Sequence, residues 1–217
     1  MEKNEEVKTF KKNMINFDNK KVLDFGGNFG TLDMGFGNLL EHKDILPENY
    51  TCVDIDKHAM DEGRQKYPEA EWIYYNRYNS MYNPDGQKDL LPVINKKYDI
   101  IYSYSVFSHT SYEELLDFIQ YFKTILTENG FMYLSVPCNG DKIIKWFYHK
   151  RTKDYGECDN IHKLPKSYIY LVDNKIKDRI PEKCQHLVTI YNKDFLKLIG
   201  EVVTTNLPQS FLKIGYK

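Results

Sequence analysis

Long hydrophobic runs are missing from this 217-residue chain. No stretch of about 18 apolar residues occurs, so a membrane-spanning helix is not expected. The opening residues, MEKNEEVKTFKKN, hold no apolar segment of the signal-peptide kind, and a cytoplasmic location is expected. Charge of one sign is missing too: 30 basic residues stand against 31 acidic ones, a net charge of −1. Whole-chain attraction to nucleic acid or to an anionic membrane is thereby excluded as a driving force, and neither is expected as a partner. Cysteine is sparse. Cys52, Cys138, Cys158 and Cys184 lie far apart with no Cys-x-x-Cys pair, which excludes a disulfide scaffold and reads as reduced thiols. Cys158, His162, Cys184 and His186 are soft ligands by type, but their spacing fits no common zinc pattern, and no metal is expected. Arginine is scarce, with Arg64, Arg77, Arg151 and Arg179 the only four, whereas tyrosine reaches 18. Lysine, asparagine, tyrosine and isoleucine have AT-rich codons, so this bias reports the genome rather than the function. Two phosphate-binding signatures are absent: Gly-x-x-x-x-Gly-Lys-Ser/Thr, and Gly-x-Gly-x-x-Gly of dinucleotide sites.

What is present is the composition of a folded domain, 41% hydrophobic and 15% aromatic against 28% charged. The length suits one domain spanning 1–217. Apolar spacing at Val7, Phe10, Met14 and Ile15 predicts a short amphipathic helix over 1–17. Strand-like runs follow at 21–25, 50–55, 71–75, 98–104 and 131–136. Between them, Asp56 caps a helix that Pro68 ends. Ser111 caps a second, with Leu115, Leu116, Phe118, Ile119, Phe122 and Leu126 on its buried face and Gly130 as its stop. Residues 76–97 read as a long loop with one turn at 90–94. This alternation predicts an α/β fold with a parallel sheet covered on both faces. It lapses over 137–184, where a single helix at 141–150 is expected. It resumes with a helix at 193–199 and an antiparallel strand pair at 201–205 and 211–216.

The strongest local signal is Val22-Leu23-Asp24-Phe25-Gly26-Gly27-Asn28-Phe29-Gly30, a buried strand ending in an acid and a glycine-rich turn. Glycine lets the backbone turn sharply and approach a ligand that a Cβ would exclude. The second signal is Val53-Asp54-Ile55-Asp56, an acid closing the next strand. Ligands of doubly wound sheets sit beyond the carboxyl ends of the strands, so both ends face one crevice. A carboxylate there can accept hydrogen bonds from both hydroxyls of a ribose. Asp56 reads as the helix cap instead.

These segments resemble the class I S-adenosylmethionine-dependent methyltransferases. Asp24, Gly26 and Gly30 fall on the fixed positions of that family's first motif, with Asn28 where its middle glycine is expected. YTCVDIDKHAMDEGRQKYP is similar to the second motif, and YDIIYSYSVFSHTSYEELLDFIQYFKTILTENGFMYLSV to the fourth strand, its helix and the fifth strand. The resemblance implies a three-layer Rossmann-like sandwich around a seven-stranded sheet of order 3-2-1-4-5-7-6, the last strand antiparallel. It implies S-adenosylmethionine as cofactor. Asp24, Gly26, Gly27, Asn28 and Gly30 would border the methionine end. Asp54 would hold the ribose, with Ile55 beside it and Ser105 across the crevice. The family's third motif, an acid near the adenine amine, has no counterpart; Asn76 or Arg77 stands there, and an Asn carbonyl can accept the amine hydrogen bond. Two departures from the pattern are Asn28 itself and the long interval between Asp24 and Asp54.

His109 follows the fourth strand on the crevice side, in Ser105-Val106-Phe107-Ser108-His109-Thr110. Histidine titrates near neutrality and can take a proton from an attacking hydroxyl, which makes His109 the catalytic candidate. A structural role beside the cofactor is its other reading. Residues 137–184 lie where family members build acceptor specificity, and an acceptor-binding lid is expected there. The aromatics Trp146, Phe147, Tyr148, Tyr155, Tyr168 and Tyr170 form either an acceptor wall or the core of that segment. No Asn-Pro-Pro-Tyr-like motif of amide-nitrogen methylation follows strand four. The expected acceptor is a small polar molecule, with O-methylation of a sugar or other surface-polysaccharide precursor the first reading. Methylation of a metabolite or natural-product nitrogen, and a cofactor-binding subunit without turnover, are the alternatives.

Overall fold

A computed structural model describes residues 15–29, 45–79, 82–138, 168–172, 187–191, 193–204 and 209–216. Strand β1, Val22–Phe25, and β2, Tyr50–Asp54, are buried at every position. Both are continuous runs without polar alternation, which is what a central parallel strand covered on both faces requires. Helix α1, Lys57–Lys66, begins where the Asp56 side chain accepts from the Ala59 N–H. Strand β3, Glu71–Tyr74, forms one edge of the sheet, and β4, Tyr98–Ser103, lies on the other side of β1. Helix α2, Tyr112–Ile125, opens with a capping box in which Ser111 and Glu114 each satisfy the other's backbone N–H. Strand β5, Leu126–Val136, follows without a connecting residue.

The order is β3-β2-β1-β4-β5-β9-β8, where β8 is Glu201–Val203 and β9 is Ser210–Gly215. β9 runs antiparallel to both β5 and β8, and all other pairs of this sheet are parallel. This is the expected seven-stranded Rossmann-like topology. A separate pair, β6 (Tyr168–Val172) and β7 (Leu187–Tyr191), is parallel and was not expected from the sequence. Helix α3, Lys193–Leu196, is followed by a turn that ends at Gly200.

One face of the sheet buries Leu23, Phe25, Val53, Ile101, Met132 and Leu134 against Leu115, Phe118 and Phe122 of α2. Phe25 lies 4.8 Å from Phe118 and 5.0 Å from Phe122 between ring centroids. The other face buries Val22, Tyr50, Cys52 and Tyr102 with Ala59 and Met60 of α1. Its inward positions at the strand ends carry acids, and this face builds the site.

Several expectations are corrected. Gly130 does not stop α2: the helix ends at Ile125, because Leu126 is already extended and pairs with Tyr98. The register then shifts between Tyr98 and Ile100, and Gly130 sits in the irregular stretch of β5 that results. Leu116 is half-buried, and the buried face of α2 is Leu115, Phe118, Ile119, Phe122 and Ile125. Residues 90–94 form no turn; Leu90, Leu91 and Ile94 instead pack onto the core from irregular chain. Ile15 and Phe17 are buried but not helical, and residues 1–14 of the expected first helix lie outside the described residues, as does the helix at 141–150. No helix among the described residues is long and apolar enough to cross a membrane.

Candidate functional site

The turn after β1 is set by two residues with left-handed backbone. Gly26 has φ +72°, and its N–H donates to the Val53 carbonyl at 2.7 Å, tying the turn to β2. A Cβ on Gly26 would fall 2.1 Å from Val106 Cγ2 in the β4–α2 loop, so a side chain is excluded twice over. Asn28 has φ +54°. Asparagine is among the few side-chain-bearing residues that visit this region readily, which explains how it replaces the family's middle glycine. Between them, a Cβ on Gly27 would come within 2.7 Å of the Asp24 carboxylate and 2.8 Å of Cys52 Sγ.

The two strand-end acids play different parts. Asp24 is buried, and its Oδ2 accepts from the Tyr50 hydroxyl at 2.7 Å. The Tyr50 and Cys52 protons are held well above their usual titration ranges, first by burial and then by the charge of Asp24. Asp54 is 9% exposed. Its Oδ2 accepts from the Asn28 N–H at 2.8 Å and its Oδ1 from the Asp56 N–H at 2.9 Å. Burial raises its pKa, and the N–H groups of Asp56, Asn28 and Ile55 oppose that rise. The β1 turn and the β2 acid are thus one hydrogen-bonded unit, reinforced where Cys52 Sγ donates to the Asn28 carbonyl at 3.3 Å.

Across the crevice stands the β4–α2 loop. Ser105 has φ +61° and is half-buried. His109 donates its N–H to the Val106 carbonyl at 2.9 Å, and the Tyr82 ring meets its imidazole edge-on with centroids 5.5 Å apart. Asn79 Nδ2 donates to the His109 carbonyl at 3.4 Å, so the loop after β3 reaches the loop after β4. Partial desolvation raises the pKa of the otherwise exposed Tyr82, and the Asp54 charge adds to the rise.

Asp24, Gly26, Gly27, Asn28, Asp54 and Ile55 therefore converge at the ends of β1 and β2, and Ser105 and His109 come from the loop that touches Gly26. Two residues do not join them. Arg77 is buried, pairing with Glu114 Oε1 at 2.7 Å and donating to the Leu90 carbonyl at 2.7 Å, with its guanidinium 4.7 Å from the Phe118 ring centre. Two of its N–H groups are used inside the protein, fastening the loop to α2. Asn76 is exposed, and its Oδ1 already accepts from Tyr74 Oη and Asn83 Nδ2, each at 3.0 Å. Both are solvent-exposed bonds between neighbouring side chains. Gly30, Cys158, His162, Cys184 and His186 lie outside the described residues; among the described ones, no group of three or more His, Cys, Asp or Glu residues could hold a metal.

Sequence reasoning missed Tyr50, Tyr82, Ser135 and Gln209. A signal existed for Tyr50: positions 50, 52 and 54 of one strand alternate onto the face that carries Asp24.

A family model described as a methyltransferase domain matches residues 23–132, just over half of the chain. That stretch contains the β1 turn, Asp54 and His109. No curated protein matches the sequence. Among solved structures, the mitomycin 7-O-methyltransferase MmcR superposes with a TM-score of 0.52 at 9% identity, covering 98% of this chain and 53% of that one. A TehB-like SAM-dependent methyltransferase from Corynebacterium glutamicum gives 0.40 at 17% identity, covering 62% of each chain. The glycopeptide N-methyltransferase MtfA complexed with S-adenosylhomocysteine gives 0.43 at 12% identity, covering 63% and 49%. The chain spans about half the length of several structures it matches. At 9% identity the likeness to MmcR speaks to the fold alone, while the family model speaks to the kind of domain. The chain belongs to the class I methyltransferases, the family whose methyl donor is S-adenosylmethionine.

Proposed function

We propose that the protein binds S-adenosylmethionine in this crevice and methylates a small polar acceptor, at a hydroxyl of a sugar or another surface-polysaccharide precursor. The observation that carries the cofactor site is the Asp54 carboxylate, fixed by N–H groups of the β1 turn and of its own strand end. It is held by backbone dipoles rather than by a cation, so hydroxyl donors are what it still gains from a ligand. The left-handed turn at Gly26 and Asn28 leaves bare backbone beside it. Carboxylate and turn together fit a ribose carrying a methionine chain.

When bound, S-adenosylmethionine supplies a methyl carbon made electrophilic by its sulfonium. The chain's own part is alignment and proton removal. Asp54 accepts ribose hydroxyls, with Ile55 beside it. Asp24, Gly26, Gly27, Asn28 and Gly30 border the methionine end. Ser105 and Val106 close the opposite wall. His109, as neutral imidazole, takes the acceptor hydroxyl's proton as the oxygen gains the methyl group, and then returns that proton to water. Within a single domain, residues 137–184 serve as the acceptor-binding lid. Two anchors favour that placement: Tyr191 donates its N–H to the Pro137 carbonyl at 2.8 Å and its hydroxyl to the Phe107 carbonyl at 3.3 Å. Pro137, where the segment begins, and Tyr191, beyond its end, are thereby held beside the His109 loop.

Calorimetric titration with S-adenosylmethionine and S-adenosylhomocysteine, followed by transfer of labelled methyl to pooled sugar, hydroxyl and amine acceptors, tests the proposal. Binding of both ligands with label on a sugar hydroxyl is expected. Label on an amine corrects the acceptor, and binding without transfer to any pool makes the chain a cofactor-binding subunit.

A further inference from the structure

The ends of β4, β5 and β9 are joined by three hydrogen bonds that close a ring. The Ser105 N–H donates to Ser135 Oγ at 2.6 Å, the Ser135 hydroxyl donates to Gln209 Oε1 at 3.0 Å, and Gln209 Nε2 donates to Ser105 Oγ at 3.2 Å. Ser135 and Gln209 are 0% and 1% exposed. The Ser105 backbone N–H can only donate, so Ser135 Oγ is its acceptor, and the Gln209 amide uses its two ends on the two different serines. Ser108 adds a brace, its hydroxyl donating to the Ser105 carbonyl at 3.0 Å.

The residue at the centre of this ring is the one that resists its own backbone. Ser105 has φ +61°, a region that residues with a Cβ avoid. The next residue, Val106, is the one whose methyl occupies the space a Gly26 side chain would need. Three residues further on, His109 is tied back to the Val106 carbonyl. A buried amide contributes little net stability once its desolvation is counted, and an apolar side chain would fill the same space. What the amide supplies is direction. It reaches both Ser105 and the acceptor that Ser105 uses.

We infer that Gln209 is a positioning residue for the crevice. It holds Ser105 in the left-handed conformation and so sets Val106 against the Gly26 turn and His109 at the crevice mouth. Gln209 touches no reacting atom and acts through Ser105. The consequence for binding rests on the proposed function, whereas the bracket itself can be tested without a ligand.

Hydrogen–deuterium exchange of the ligand-free full chain reads the bracket directly. Gln209→Leu is expected to speed exchange over residues 105–109 roughly tenfold, the size of one lost net hydrogen bond, with β1 and β2 unchanged. Adding Ser105→Gly is expected to reverse most of that gain, because glycine takes positive φ without a bracket. Ser135→Ala removes a single oxygen and is expected to give the same localised change should the leucine variant fail to fold. Unchanged exchange over 105–109 in the folded variants, or an increase that Ser105→Gly does not reverse, overturns the inference. Titration with S-adenosylhomocysteine then reads the consequence, expected as binding roughly fivefold weaker in Gln209→Leu than in wild type. Equal binding by the two overturns the link from bracket to crevice. A wild type that binds nothing strikes at the proposed function instead and leaves the exchange result standing.

Discussion

At the β1–β2 end of the crevice, carboxylates are held by backbone N–H groups and a tyrosine hydroxyl; at the β4–β5 end, neutral hydroxyls and an amide hold one another. The first arrangement is charged, and its donors are fixed by the chain path, so the acid's identity matters and its orientation is settled before any ligand arrives. The second carries no charge, and a serine hydroxyl can donate or accept as its partner demands. At the first, burial pushes the protons of Asp54, Tyr50 and Cys52 upward, whereas the ring of Ser105, Ser135 and Gln209 holds no carboxylate, phenol or thiol to shift. Under the proposed function the charged end holds the cofactor, and the neutral end, where His109 and Tyr82 meet, faces the acceptor.

The sharpest way to break this division is His109→Ala. If the neutral end carries proton removal, turnover should fall by roughly 10²–10⁴-fold, the usual size of a general-base contribution, with affinity for S-adenosylhomocysteine little changed. A variant keeping more than about a tenth of wild-type turnover at neutral pH would make His109 a structural residue of the loop.

Next in size is Asp54→Ala, expected to weaken binding of S-adenosylhomocysteine by about 1–3 kcal/mol, the loss of charge-assisted hydrogen bonds. Unchanged affinity in calorimetry would move the ribose contact to Asp56. The pH dependence separates the ends further. Burial raises the Asp54 pKa, so the folded protein holds this proton more tightly than the unfolded chain does. The ionised group therefore costs stability above its usual range, and that cost is relieved as pH falls through the raised pKa. Ligand affinity should run the opposite way, falling with pH as the carboxylate is protonated, and should become flat in Asp54→Asn. Affinity that stays pH-dependent in Asp54→Asn would show that another group is being titrated.

Legibility in the sequence follows the same divide. β1, β2 and β4 were readable because buried parallel strands are short apolar runs, and Asp54 because an acid closes one of them beside a glycine turn. The partners were not. Arg77 looked available until Glu114, 37 residues on, took its charge; Ser135 and Gln209 are 74 residues apart and each alone reads as an ordinary polar residue. Gly130 misled because a glycine after a helix resembles its stop, whereas pairing of Leu126 with Tyr98 had already ended the helix. Local chemistry is written in sequence, and long-range hydrogen-bond closure is not.

A smaller effect is expected from Tyr50→Phe, which removes the 2.7 Å hydrogen bond to Asp24 and leaves the ring's packing against Trp72 in place. Stability should fall by about 1–2 kcal/mol, between a net hydrogen bond and an unpaired buried acceptor, measured by urea unfolding. Affinity for the cofactor should change less than in Asp54→Ala, since the Asp24 carboxylate itself stays in place. A binding loss as large as that of Asp54→Ala would show that the Tyr50 hydrogen bond sets Asp24 against the ligand.

The smallest effect should come from Asn28→Gly. Its φ of +54° costs glycine nothing, and the N–H that holds Asp54 is backbone, so it survives the change. What is lost is the side-chain Oδ1 that accepts from the Phe29 N–H at 2.8 Å, a half-buried bond worth about 1 kcal/mol at most. What is gained is relief of a left-handed conformation that costs side-chain-bearing residues roughly 1–2 kcal/mol, less for asparagine. The two nearly cancel, so stability and S-adenosylhomocysteine affinity should both stay within about 0.5 kcal/mol of wild type. Asn28→Val is the contrast, since a β-branched residue at positive φ both strains the turn and withdraws the Oδ1 acceptor. It should weaken binding through the misplaced N–H even though Asp54 is untouched. Equal affinity in the valine and glycine variants would mean that the turn's conformation does not govern the Asp54 contact, and the charged end would then be a lone acid rather than a hydrogen-bonded unit.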